Sequence, residues 1–162
     1  MLIRYDDQSQ LSKFTILCNT GDSGLFSNIE VNSKRGLPQV MVCPGTSRPA
    51  LIVGGGPSLA DTLDDIRKMK DAGSHVFALN NAAKYLFENG ILPDYQIVLD
   101  PRPHNVEFVS NRWADEVLLA SQCDPSLFDK CAEIGYTARI WHPFIEGAEK
   151  YIGEPDPLMI GG

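Results

Sequence analysis

Three short clusters in this sequence hold the residue types that chemistry needs. The first is Gly54-Gly55-Gly56-Pro57-Ser58, directly after the apolar run Leu51-Ile52-Val53. Consecutive glycines permit positive φ and let a ligand approach the backbone closely. Pro57 stiffens the turn. Ser58, with Asp61 three residues on, stands where a capping box opens a helix. The free N–H groups of such a first helical turn would hold an anion. The second cluster is Asn80-Asn81. Helix capping accounts for one Asn, and the other is then free to offer a donor and an acceptor to a base or ribose edge. The third is Asp100-Pro101-Arg102-Pro103-His104. A carboxylate there can bind Mg²⁺ or orient a hydroxyl. An arginine can pair with phosphate, and a histidine can move a proton near neutral pH. Asp100 and His104 are therefore the catalytic candidates, with Asp100 also the candidate metal ligand. The plainer reading makes Asp100 a turn or helix cap and leaves Arg102 and His104 as solvated loop residues.

Known glycine-loop chemistries can be tested against the letters. A Walker A loop ends in Gly-Lys-Ser/Thr, and no Lys is present here. The dinucleotide fingerprint needs a glycine where Leu59 stands and an acid where Asn80 and Asn81 stand. Gly56-Pro57-Ser58-Leu59-Ala60 approximates a nucleophile elbow with its last glycine replaced by Ala. That would make Ser58 a nucleophile with His104 or His142 as base, but the capping role explains Ser58 without it. A tight strand-to-helix turn with no ligand is the plainest alternative. His75 opens a strand and reads as structural, whereas His142 ends one and stays a weaker candidate.

Positioning these clusters requires alternating elements. From Ala50 onward the pattern runs strand, helix, strand. Strands are expected at Leu51–Val53, His75–Leu79, Tyr95–Leu99, Val117–Ala120 and Ala138–Trp141, and helices at Leu59–Ala72, Asn81–Asn89 and Pro125–Ile134. A short helix is expected to start at Asn105. This alternation predicts an α/β fold, a Rossmann-like parallel sheet flanked by helices. All three clusters then fall beyond the carboxyl ends of strands, where such sheets bind ligands. Residues 1–48 read differently, with a short strand at Phe14–Cys18, a turn-rich Asn19–Gly24 and weak periodicity from Ser27 to Gln39. We divide the chain into an N-terminal extension or small subdomain, 1–48, and a Rossmann-like α/β domain, 49–162, expected to be incomplete at its C-terminus.

Bulk composition narrows the partners. The 162 residues carry a formal net charge of -7, which disfavours a nucleic-acid binder because that needs a basic footprint. No apolar run reaches the ~20 residues that span a bilayer, and the acidic start is unlike a secretory signal, so no membrane contact and a cytoplasmic location are expected. The four cysteines form no C-x-x-C pair and are expected to be reduced and mostly buried.

Taken in order, Ile52–Leu59, Ala78–Ala82, Gly90–Tyr95 and Val98–Pro101 resemble the motility accessory factor family of bacteria and phages. That family includes enzymes implicated in transferring nonulosonic sugars to flagellin, and its archaeal branch is similar to hydroxymethyl-dihydropterin pyrophosphokinases. The Gly-Pro-Ser-Leu loop with a following Asn also resembles the CMP-binding motif of bacterial sialyltransferases. The resemblance covers roughly residues 50–103. It implies that Gly54, Gly55, Gly56, Pro57 and Ser58 hold a nucleotide's phosphate and ribose, that Asn80 or Asn81 contacts the nucleotide, and that Asp100 lies near donor or metal. Arg102 joins them as a phosphate partner. The chain ends Met159-Ile160-Gly161-Gly162, where such proteins enter another glycine-rich turn, so a C-terminally truncated member is expected. The expected ligand is a nucleotide or nucleotide-sugar, with Mg²⁺ as the cofactor to test and a homo-oligomer as a further expectation. The function implied first is a glycosyltransferase using a CMP-nonulosonate-type donor. Its alternatives are an Mg-ATP-dependent pyrophosphokinase of pterin type and a non-catalytic nucleotide-binding fragment.

Overall fold

A computed structural model describes residues 21–41, 45, 47–152 and 159–160. The expected strand at Phe14–Cys18 lies outside them. The described chain begins with helix α1, Asp22–Ser33. Then follow β1 (Ala50–Val53), a 3₁₀ segment (Pro57–Thr62), α2 (Leu63–Asp71), β2 (His75–Leu79), α3 (Ala82–Glu88) and β3 (Tyr95–Val98). A second 3₁₀ segment (Pro103–Val109), β4 (Glu116–Ala120), α4 (Pro125–Ile134), β5 (Ala138–Pro143), α5 (Glu149–Ile152) and β6 (Met159–Ile160) complete it.

The sheet has β1 to β5 parallel and in sequence order, with the two-residue β6 pairing outside β5. The expected α/β fold is therefore present. Because the strand order never reverses, right-handed crossovers put every connection on the same face. The burial alternation agrees. Val53, Val76, Ala78, Gln96, Val98, Val117, Leu119 and Ile140 point to that face and are buried. The opposite face carries Ile52, Phe77, Tyr95, Ile97 and Trp141, with Phe77 and Tyr95 stacked at 4.8 Å and Ile52 69% exposed.

Two cores lie beneath the helices. Val76, Ala78, Ile66, Ala83 and Leu86 pack together under β1 and β2, while Val98, Leu119, Leu127, Phe128 and Ile140 pack under β3 to β5. α4 forms as its sequence demands. Pro125 sits at the first turn, and the Asp124 side chain caps the N–H of Ser126 at 3.0 Å. Gly135 ends it at φ 64°, a left-handed position that favours glycine.

Three local expectations are corrected. Ser58 does not cap a helix. The N-cap is Gly56, and the chain enters a 3₁₀ turn before α2 starts at Leu63, because Pro57 sets the first turn. None of Gly54, Gly55 and Gly56 uses a positive φ; that conformation falls instead on Asn80, at 49°. α1 begins inside the stretch read as turn-rich and runs into the one read as weakly periodic, and its low amphipathicity hid it. It docks through side-chain amides: Asn32 Nδ2 donates to the carbonyls of Ser121 (2.9 Å) and Cys123 (2.8 Å), and Asn28 Nδ2 donates to that of Gln122 (3.0 Å).

Candidate functional site

The glycine loop leaves β1 and the Asn80-Asn81 turn leaves β2, so neighbouring strands deliver both to one rim. Between them lies an open cavity of about 290 Å³. Gly55, Gly56 and Pro57 line it from the loop, and Asn81, Ala82 and Tyr85 line it from the start of α3. The N–H groups of Gly55 and Gly56 donate to no acceptor among the described residues. A Cβ at either glycine would meet nothing within 4 Å, so the space above the backbone is clear for a ligand.

Asn80 is held in its left-handed turn from both sides. Its N–H donates to Ile97 O at 2.9 Å, and its carbonyl accepts from Gln96 Nε2 at 2.9 Å. Gln96 is fully buried. It also donates to Phe108 O (2.8 Å) and accepts from the Tyr136 hydroxyl (3.2 Å). A non-glycine residue with positive φ costs on the order of 1–3 kcal/mol and persists only where its surroundings impose it. Here the buried Gln96 supplies the constraint, which presents Asn81 to the cavity. Asn81 stands at the N-cap of α3, yet its side chain makes no capping hydrogen bond, so its amide remains available.

Sequence reasoning missed Tyr85. It falls inside the helix expected at Asn81–Asn89, where Leu86 is buried whereas Tyr85 is 37% exposed and faces the cavity. The available signal was its position one turn after Asn81. Conversely, Gly54 and Ser58 line a separate groove of about 280 Å³ along the open edge of β1, with Ile52, Thr62 and Met69. Ser58 is exposed, and its carbonyl accepts from Thr62 Oγ1 at 3.3 Å.

Asp100, Arg102 and His104 follow β3 and do not line that cavity. Asp100 Oδ1 accepts from the Arg102 N–H (3.0 Å) and Nε (2.9 Å), and Oδ2 accepts from Nε (3.0 Å) and Nη2 (2.5 Å). The Arg102 guanidinium, with help from its backbone N–H, holds the Asp100 carboxyl below its ordinary range. Arg102 Nη1 has no hydrogen-bond partner among the described residues. His104 is exposed. With both Asp100 oxygens engaged by Arg102, the carboxylate does not fit a magnesium ligand in this arrangement. Among the described residues no three His, Cys, Asp or Glu side chains gather as metal ligands.

Three buried polar atoms at the same edge lack partners: Asn105 Nδ2, Ser121 Oγ and His142 Nδ1. Each costs about 1–3 kcal/mol if left so. Burial also lowers the pKa of His142 below its usual 6.5, which keeps the ring neutral. The unfolded chain therefore binds a proton that the folded chain refuses, so stability is full above pH 6.5 and declines as pH falls below it. The slope cannot exceed about 1.4 kcal/mol per pH unit for this one group. Urea midpoints at pH 7.5 and 5.5 test this: the fall should be larger in the parent than in His142→Gln, and equal falls would refute it. Asp94 and Asp100, both lowered, act only below about pH 4.

The chain is thus an α/β domain of the Rossmann-like kind, with a small cavity at the carboxyl rim of its parallel sheet. A family model described as 6-hydroxymethylpterin diphosphokinase MptE-like matches residues 23–129, from α1 into α4, and the chain belongs to this MptE-like family. A comparison with curated proteins finds no match. No helix among the described residues is long and apolar enough to cross a membrane.

Proposed function

We propose that the cavity between the glycine loop and α3 binds a nucleoside phosphate, and that the chain serves diphosphoryl transfer from ATP to the hydroxyl of a hydroxymethylpterin-like acceptor. The observation that carries this is the cavity's makeup: unpaired backbone N–H groups on one wall, and a free amide and an aromatic ring on the other. Membership of the MptE-like family supports the direction of the chemistry.

In this reading the Gly55 and Gly56 N–H groups hold phosphate oxygens, as glycine-rich turns do. Tyr85 stacks on the base, a contact worth ~1–3 kcal/mol. Asn81 reads a base or ribose edge. The acceptor oxygen attacks the β-phosphorus, the bond from that phosphorus to the α–β bridging oxygen breaks, AMP leaves, and the hydroxyl proton passes to solvent or a base. Such transfers depend on positioning and charge stabilisation. Arg102 suits the second task, with Nη1 toward phosphate while Asp100 positions it. His104 is a proposed proton acceptor by its place on the same rim.

The test is a thermal-shift titration with AMP, ATP, CMP, CDP, UDP and GDP, with and without Mg²⁺. At a hundred times its dissociation constant a ligand adds about 2.7 kcal/mol, a rise of about 5–10 °C for a domain of this size. We expect adenine nucleotides to give it and Tyr85→Ala and Asn81→Ala to lose it. A cytidine-selective rise would favour the nucleotide-sugar donor of a glycosyltransferase, the reading supported by the Gly-Pro-Ser-Leu loop with its following Asn. No response to any nucleotide would sink both.

A further inference from the structure

Gln96 is a polar side chain on the helix-covered face of the sheet. It pairs with Ala78 on one side and Val117 on the other, and it is fully buried. An apolar residue would fill that space without polar cost, whereas a buried amide must find partners for its donors and its acceptor. Here it finds them. Nε2 donates to Asn80 O at 2.9 Å and to Phe108 O at 2.8 Å, and Oε1 accepts from the Tyr136 hydroxyl at 3.2 Å. The partners fix the orientation of the amide. Two carbonyls can only accept, so the nitrogen faces them, and the buried Tyr136 donates to the oxygen.

The two carbonyls belong to different loops of the carboxyl rim. Asn80 holds a left-handed turn at φ 49° and leads into Asn81 at the cavity. Phe108 lies near the end of the 3₁₀ segment Pro103–Val109, which begins directly after Arg102 and carries His104. Carbonyls at the end of a helix lack partners within it, and 3₁₀ hydrogen bonds have poorer geometry than those of an α-helix. One nitrogen thus fastens both the strained turn and the end of the 3₁₀ segment. Its two acceptors stand about 5 Å apart, by the reach and angle of two hydrogen bonds from one amide nitrogen. Neither loop can move off without leaving a buried N–H unpaired.

We propose that Gln96 is a positioning residue shared by the two loops. It sets the Asn80–Asn81 turn and the segment bearing Arg102 and His104 as one unit, so that a nucleotide seated against the first restrains the second. The roles of the two loops rest on the transferase reading above; the tie between them rests on the hydrogen bonds alone. A ligand that holds Asn81 holds the Asn80 carbonyl beside it, and through the shared nitrogen the Phe108 carbonyl. By linkage, whatever orders the second loop also strengthens binding at the first.

The experiment is amide hydrogen exchange on the full chain, comparing the parent with Gln96→Met, which keeps the length of the side chain and loses the amide. Asn80 and Tyr85 report on the first loop, with N–H groups bonded to Ile97 O and Asn81 O; Asn105 and Ser110 report on the second, bonded to Arg102 O and Glu107 O. Without ligand, all four should exchange about tenfold faster in Gln96→Met, the size of one lost hydrogen bond, and by a larger factor than the amides of β4. Quickening in one loop alone, or by the same factor in β4, overturns the proposal. Saturating AMP should slow all four in the parent and only Asn80 and Tyr85 in Gln96→Met. Slowing of all four in that variant overturns the proposal too, since the loops are then joined elsewhere. If Gln96→Met does not fold, Tyr136→Phe, which removes one oxygen and frees the amide to turn, should give the same pattern at a smaller factor. Failure of AMP to bind the parent sinks the nucleotide reading instead, and exchange without ligand still decides whether Gln96 joins the loops.

Discussion

Gly56→Val abolishes nucleotide binding, by about a hundredfold or more, while the melting temperature of the unliganded protein stays within a few degrees. The two halves of this expectation have separate causes. Gly56 sits at φ -69° and ψ 163°, a conformation open to any residue, and an added Cβ meets nothing within 4 Å. The fold therefore has no reason to object. The same empty space is the approach to the Gly55 and Gly56 N–H groups, and the cavity holds only about 290 Å³. Displacing a ligand by about 1 Å from its productive position costs on the order of a hundredfold. Thermal shifts with AMP and ATP measure both halves. A variant that keeps the parent's ligand-induced shift would show that nucleotides bind elsewhere. A variant that unfolds unliganded would show that Gly56 is needed for the turn.

Leu119→Ala costs about 3–4 kcal/mol of stability, by the usual cost of emptying a fully buried leucine site. Leu119 lies on the central β4, between Val98 and Ile140 in the ladder, and is fully buried among Leu127, Phe128 and Cys123. Strands on both sides keep the backbone from collapsing into the void. Urea unfolding should show a lower midpoint with an unchanged slope. A loss under about 1 kcal/mol would mean that the core under β3 to β5 repacks far more freely than close-packed interiors do.

The strands were legible because each is a short apolar run closed by turn residues, and β2 and α4 fall within the expected bounds. α4 carries three local signals, Asp124, Pro125 and Gly135, that agree with one another. α1 carries none. Gly21 gives no side-chain cap, and the helix is held by Asn28 and Asn32 reaching carbonyls some ninety positions away, which no local window contains. The glycine loop was found for a reason only half right. Its glycines leave room, but the left-handed turn passed to Asn80, where Gln96 imposes it from the next strand. Gly55, Gly56, Pro57 and Asn81 do meet at one cavity, whereas Ser58 and Gly54 lie along the β1 edge and the Asp100–Arg102 pair stands apart. Which side of a turn a residue lines depends on the crossover that follows, and spacing alone does not carry that. Tyr85 and the orphaned Ser121 escaped for the same reason, whereas His142 was legible only as a weaker candidate at its strand end.

The sequential strand order also sets how the chain's entropy is spent. Every ladder from β1 to β5 joins residues about twenty positions apart, such as Tyr95 with Glu116 and Val117 with Ala138, so each closure is short and costs little more than the one before. The latch of α1 onto β4 spans 89 positions in a single step and is held there by Asn32 and its neighbours. The sheet can thus grow by accretion from either end, while the long closures fall on the helix that covers the backbone of Ser121 and on the bridge from Gln39 to Ile140 that follows it.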